Sequence, residues 1–130
     1  MIPKYRAWDK ETQTMLDVSL IDFKKSVLVG EHWEFGETNF RNFDDVNLMQ
    51  STGLFDKNSK EIFEKDILDY NGRKVIVKWH GSYASFIYEF VDELQNRKTE
   101  WKPLYLSYYH FKIIGNVYQN PELLELEVEE

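Results

Sequence analysis

Apolar and polar residues alternate along this chain in short runs separated by polar turn formers, the pattern of half-buried β-strands. Lys4 to Trp8 alternates polar and bulky side chains and runs into Asp9-Lys10-Glu11, a strand entering a polar turn. Met15, Leu16, Val18, Leu20, Ile21 and Phe23 continue in short extended pieces, and Val27-Leu28-Val29 before Gly30 predicts another strand. From Glu31 to Asp45 the chain mixes Trp33, Phe35, Phe40 and Phe43 with acids and with two turn formers, Gly36 and Asn39, and no period assigns it.

The pattern sharpens from Asn47. Leu48 to Gly53 reads as a strand closing at a glycine, and Asp56-Lys57-Asn58-Ser59-Lys60 as a turn. Glu61-Ile62-Phe63 leads into a strand over Asp66 to Tyr70, and Asn71-Gly72 is the strongest hairpin signal in the chain. Lys74 to His80 follows, with Val75, Val77 and Trp79 on one face, then Gly81 and a strand from Tyr83 to Phe90. Glu93 to Lys102 is polar, and Tyr105 to Tyr118 is aromatic and broken at Gly115-Asn116. Asn120, Pro121 and Glu122 are the start signal of a short helix that Leu123, Leu124 and Leu126 would dock. Five candidate strands between Leu48 and Tyr118 match the size of a small SH3-like β-barrel. The expected fold is mainly β: a β-rich N-terminal part over residues 1–46, then an SH3-like barrel with a short C-terminal helix over 47–130.

Composition narrows the chemistry. The chain has no cysteine, which removes disulfides, thiolate nucleophiles and Cys-based metal sites and fits a reducing compartment. Its first residues, Met1-Ile2-Pro3-Lys4-Tyr5-Arg6, carry charges where a signal peptide needs an apolar run, so the expected location is the cytoplasm. No run approaches the ~18 apolar residues of a membrane span. Sixteen basic against 23 acidic residues give a net charge of −7, which opposes phosphate binding. Part of that acidity lies in a tail with five acids and no base after Lys112, so a local basic face stays open.

Three blocks carry a family resemblance. Lys4-Tyr5-Arg6-Ala7-Trp8-Asp9-Lys10 stands near the start. Leu48-Met49-Gln50-Ser51-Thr52-Gly53-Leu54, with Asp56-Lys57-Asn58-Ser59-Lys60-Glu61-Ile62-Phe63-Glu64-Lys65-Asp66-Ile67, stands in the middle. Ile114-Gly115-Asn116-Val117-Tyr118-Gln119-Asn120-Pro121-Glu122-Leu123-Leu124 stands at the end. In this order and spacing they resemble the YopX family, over nearly the whole chain, and closely enough to read as that family's Bacillus prophage member. Two turns depart from the family pattern: Asn58-Ser59 stands where the family has Asn-Gly, and Glu64-Lys65-Asp66 where it has Glu-Gly-Asp. A Lys65 that keeps a positive φ would store strain. The resemblance implies a phage or prophage origin, an SH3-like C-terminal half and a smaller β-rich N-terminal part. It implies no activity.

No residue set demands catalysis. His32, His80 and His110 are far apart and each adjoins an aromatic, which favours ordinary half-buried histidines over metal ligands. Glu61, Glu64, Asp66 and Asp69 alternate with Lys60 and Lys65 and read as a solvated edge. Glu100-Trp101-Lys102 matches the tail of a metal-dependent nuclease pattern, but Pro103 beside it disfavours a central strand. No catalytic residue, metal ligand or cofactor is expected, and the chain is not read as an enzyme. The candidate binding face is Arg73, Lys74, Lys78, Trp79, Tyr83, Arg97, Lys98 and Trp101. Two functions could use it. A protein-interaction module, acting on a host or phage protein, would use an aromatic groove of Tyr83, Trp101, Tyr105, Tyr108 and Tyr109. A nucleic-acid-binding accessory protein, the less favoured reading, would need the basic residues on one face. No membrane partner is expected.

Overall fold

The computed structural model describes residues 4–94 and 100–125, and the chain divides into two compact units between Ser51 and Thr52. The sequence reading placed that division at 46/47. The fold is mainly β, in two antiparallel sheets with one short helical turn.

The first unit is built on β1 (Tyr5–Asp9), β2 (Thr14–Asp22), β3 (Val27–His32), β4 (Thr38–Asn42) and the start of β5 (Val46–Phe55). β2 is one nine-residue strand rather than short pieces, with a bulge at Ser19 that explains its broken alternation. Gly30 does not end β3. It lies inside the strand against Leu16, whose Cβ would sit 2.9 Å from a Cβ at Gly30. The unassigned stretch supplies the end of β3, a turn, β4 and a 3₁₀ turn over Phe43–Asp45. Ala7, Leu28 and Val46 form the core, with Val18, Ile21, Phe43 and Leu48 packed on it. Arg41 on β4 reaches Asp9 on β1, its Nε donating to Asp9 Oδ2 at 3.0 Å, so the sheet curls back on itself within this unit.

The second unit takes the rest of β5, then β6 (Glu61–Phe63), β7 (Asp66–Tyr70), β8 (Arg73–His80), β9 (Ser85–Phe90), the turn α1 (Val91–Leu94), β10 (Trp101–Pro103) and β11 (Lys112–Asn116). Strand order in its five-stranded sheet is β10-β9-β8-β7-β11. The expected barrel is met as a sheet: among the described residues no ladder joins β10 to β11. Asn71 and Gly72 both take positive φ, 51° and 86°, the I′ turn that their sequence predicts between β7 and β8. Ile62, Leu68, Val75, Val77, Tyr88, Phe90, Leu104 and Phe111 form the core on one face. The aromatic stretch from Tyr105 opens with two 3₁₀ turns, Leu104–Leu106 and Tyr108–His110, before β11.

The expected C-terminal α-helix is a 3₁₀ turn over Pro121–Leu124. Asn120 does not cap it, because its Oδ1 turns back to accept the Asn116 N–H. Leu126 and the acidic tail beyond it lie outside the described residues.

Candidate functional site

The turns fixed by the family blocks are structural. Asp56 is buried and its carboxylate accepts three backbone N–H groups, from Asn58 at 2.8 Å, Lys60 at 2.9 Å and Ile113 at 2.9 Å. One side chain therefore closes the 56–60 turn and ties it to β11. Asp66, from the acidic cluster, is buried and accepts the Phe63 N–H, and Asp69 stands opposite Lys74 and Lys112 on the flanking strands. Asn116 Oδ1 accepts the N–H groups of Tyr118 and Gln119. In the first unit the buried Asp9 carboxylate accepts the Glu11 N–H, the Thr12 hydroxyl and the Arg41 guanidinium. Burial pushes this carboxyl up, but those hydrogen bonds and the Arg41 charge outweigh it and hold Asp9 below its ordinary value.

Strand alternation separates the residues of the candidate face. Arg73 and Trp79 project from the core face of β8, at either end of Val75 and Val77, while Lys74, Lys78 and His80 project from the other. Arg73 is committed within the fold: its guanidinium lies 3.7 Å over the Phe90 ring and donates to Asp92 at 3.1 Å, with Glu93 at 3.5 Å. The hydrogen bond to Asp92, then the charges of Asp92 and Glu93, raise its pKa above the ordinary arginine value against a smaller desolvation penalty. Lys78 Nζ donates to Glu89 Oε2 at 3.1 Å. Arg97 and Lys98 lie outside the described residues. The structure thus does not gather Arg73, Lys74 and Lys78 on one face.

It gathers aromatic rings instead. β9 carries Glu89 opposite Trp101 of β10, which puts Trp101 on the same face as Lys78 and His80. The 3₁₀ turn Gly81–Tyr83 ends at Ala84 in the left-handed conformation, φ 47°, and folds Tyr83 back onto that face. His80, Tyr83 and Trp101 then meet with ring centroids 4.8, 4.8 and 4.9 Å apart, tilted by 46° to 62°. Tyr83 is 65% exposed. His80 Nδ1 is buried and has no hydrogen-bond partner. On the other face Trp79 is 47% exposed and packs edge-on against Phe86.

The five residues of the expected groove are placed as follows. Tyr83 and Trp101 touch, Tyr105 and Tyr109 are exposed, and Tyr108 packs against the core while contacting Tyr109. His80 was missed as a site residue because a lone histidine reads as ordinary. The signal was the run Trp79 to Tyr88, which has no Asp, Glu, Lys or Arg in a chain that is 30% charged. His32 is a turn anchor whose Nδ1 accepts the Glu34 N–H, and His110 lies against Tyr70 and Tyr109. Among the described residues no group of three His, Asp or Glu is placed to hold a metal ion, and no helix is long and apolar enough to cross a membrane. A nuclease reading would need Asp69 or Asp92 beside Glu100, and Asp92 is held by Arg73.

Comparison with known proteins bears on the whole chain. The family model described as YopX protein matches residues 4–125. The crystal structure of protein EF1440 from Enterococcus faecalis is similar at 31% identity, covering 96% of this chain and 99% of that one, with a TM-score of 0.62. The crystal structure of protein yopX from Bacillus subtilis is similar at 20% identity, covering 94% and 98%, with a TM-score of 0.58. At that identity the Bacillus protein shares the fold, and this chain is a different protein from it. No curated protein matches.

Proposed function

This chain belongs to the YopX family, and from that premise we propose that it is a non-enzymatic accessory protein, encoded by a phage or prophage, that works in the bacterial cytoplasm as a protein-interaction module. The observation that carries the reading is the ring cluster of half-buried His80 and Trp101 with exposed Tyr83, on one face of the β8–β10 sheet. Tyr83 stands 65% exposed beside the left-handed Ala84, and aromatic residues are enriched where proteins dock. We assign the second unit an SH3-like architecture. Its support is the strand order, a four-strand meander whose fifth strand returns through 3₁₀ turns to pair with the first.

The alternative, nucleic-acid binding, needs free cations beside the rings. Arg73 and Lys78 are already held by Asp92, Glu93 and Glu89, which favours the protein partner. Recovery of the tagged chain from a bacterial lysate, with and without nuclease, tests this. The expected result is a stoichiometric protein that survives nuclease and is lost from Tyr83→Ala. Nucleic acid that disappears with nuclease, and no protein, would move the function to the alternative.

A further inference from the structure

We propose that the His80–Tyr83–Trp101 cluster receives an arginine side chain from a basic segment of the partner, an inference that rests on reading this face as a docking surface. Aromatic faces are negative and edges positive, so three rings set at 46° to 62° to one another offer a cation several π-faces at once. Trp79 to Tyr88 carries no Asp, Glu, Lys or Arg, and Lys78, the base next to His80 along that face of β8, is paired with Glu89 at 3.1 Å. The chain's net charge of −7 steers cations rather than anions toward it.

Guanidinium fits better than ammonium. It is planar, weakly hydrated and stacks on rings, and the fold makes this contact itself where Arg73 lies 3.7 Å over Phe90. Ala84, held left-handed at φ 47° with its N–H on the Gly81 carbonyl, keeps Tyr83 in place before any ligand arrives.

The test is an amide-shift titration of the isotope-labelled full chain with three probes at physiological ionic strength. These are a capped Gly-Arg repeat peptide, the same peptide with lysine, and a short oligo-dT. The expected result is saturable shifts at residues 80–84 and 101 with the arginine peptide, weaker binding of the lysine peptide, and an affinity loss of about two- to fivefold in Tyr83→Ala. Tyr83 is exposed, so this variant folds. Shifts absent from this cluster, an unchanged affinity in Tyr83→Ala, or binding of oligo-dT in preference to the peptide would each overturn the proposal. Lysate capture separates the two levels. A protein captured by the wild type, lost from Tyr83→Ala and unmatched by arginine-peptide binding leaves the docking surface standing and removes the arginine. Capture indifferent to Tyr83 removes both.

Discussion

Replacing Lys65 by glycine should stabilise the second unit. Lys65 has φ 68°, and its backbone cannot relax, because its N–H donates to the Val77 carbonyl and its carbonyl accepts the Val117 N–H. A side chain in this conformation costs about 1–2 kcal/mol through contact of Cβ with the backbone. Glycine removes that cost but widens the unfolded ensemble, which takes back about 0.4–1 kcal/mol. The net expectation is a gain of about 0.5–1 kcal/mol, or roughly 2–5 °C in Tm for a chain of this size. Urea and thermal unfolding of Lys65→Gly and Lys65→Ala give the measurement. Alanine keeps Cβ and loses the ammonium, so it should sit near wild type while glycine rises above it. If both variants shift alike, the effect belongs to the lysine side chain and the backbone argument fails. Ser59, at φ 62° in the other turn where the family has glycine, should respond to Ser59→Gly in the same direction.

The remaining expectations concern single anchors. Asp56→Ala leaves three backbone N–H groups without their acceptor and should cost about 3 kcal/mol or more, read as a fall in the urea midpoint. Asp9 has its folded pKa depressed, so its stabilisation is fully present above the ordinary value of 3.8 and is lost as pH falls through the lower folded value. Asp9→Asn should therefore lower stability at neutral pH and flatten the acid limb of a stability–pH profile; an unchanged acid limb would show that Asp9 is not depressed. Gly115→Ala puts a Cβ into the Asn120 side chain and should break the bond from the Asn116 N–H to Asn120 Oδ1, at about 1–2 kcal/mol in thermal melts.

What the sequence made legible was local. Alternation located β1, β7, β8 and β9, and Asn71-Gly72 named its own turn, because both signals sit within a few residues. It failed where the deciding atom came from far along the chain. Gly30 looks like a strand end until Leu16 packs against it, and Asn120 looks like a helix cap until Asn116 claims its oxygen. The family blocks were visible because they are turn chemistry, with Asp56, Asp66, Gly115 and Asn116 each fixing a reversal, so they speak of fold and are silent on function. The candidate face failed in part for a similar reason. Lys78 and Trp79 are adjacent in sequence and opposite in space, whereas Trp101 joins His80 only through β9.

The Asp56 carboxylate has a consequence beyond its turn. It takes the Ile113 N–H at the outer margin of the second sheet, next to the bulge between Ile113 and Gly115, and the Lys57 N–H takes the Phe111 carbonyl beside it. At the opposite margin β10 carries Pro103, which has no N–H to give. A foreign strand seeking to lengthen this sheet meets a spent donor at one border and a missing one at the other. Strand addition at these two positions of the sheet is thereby disfavoured.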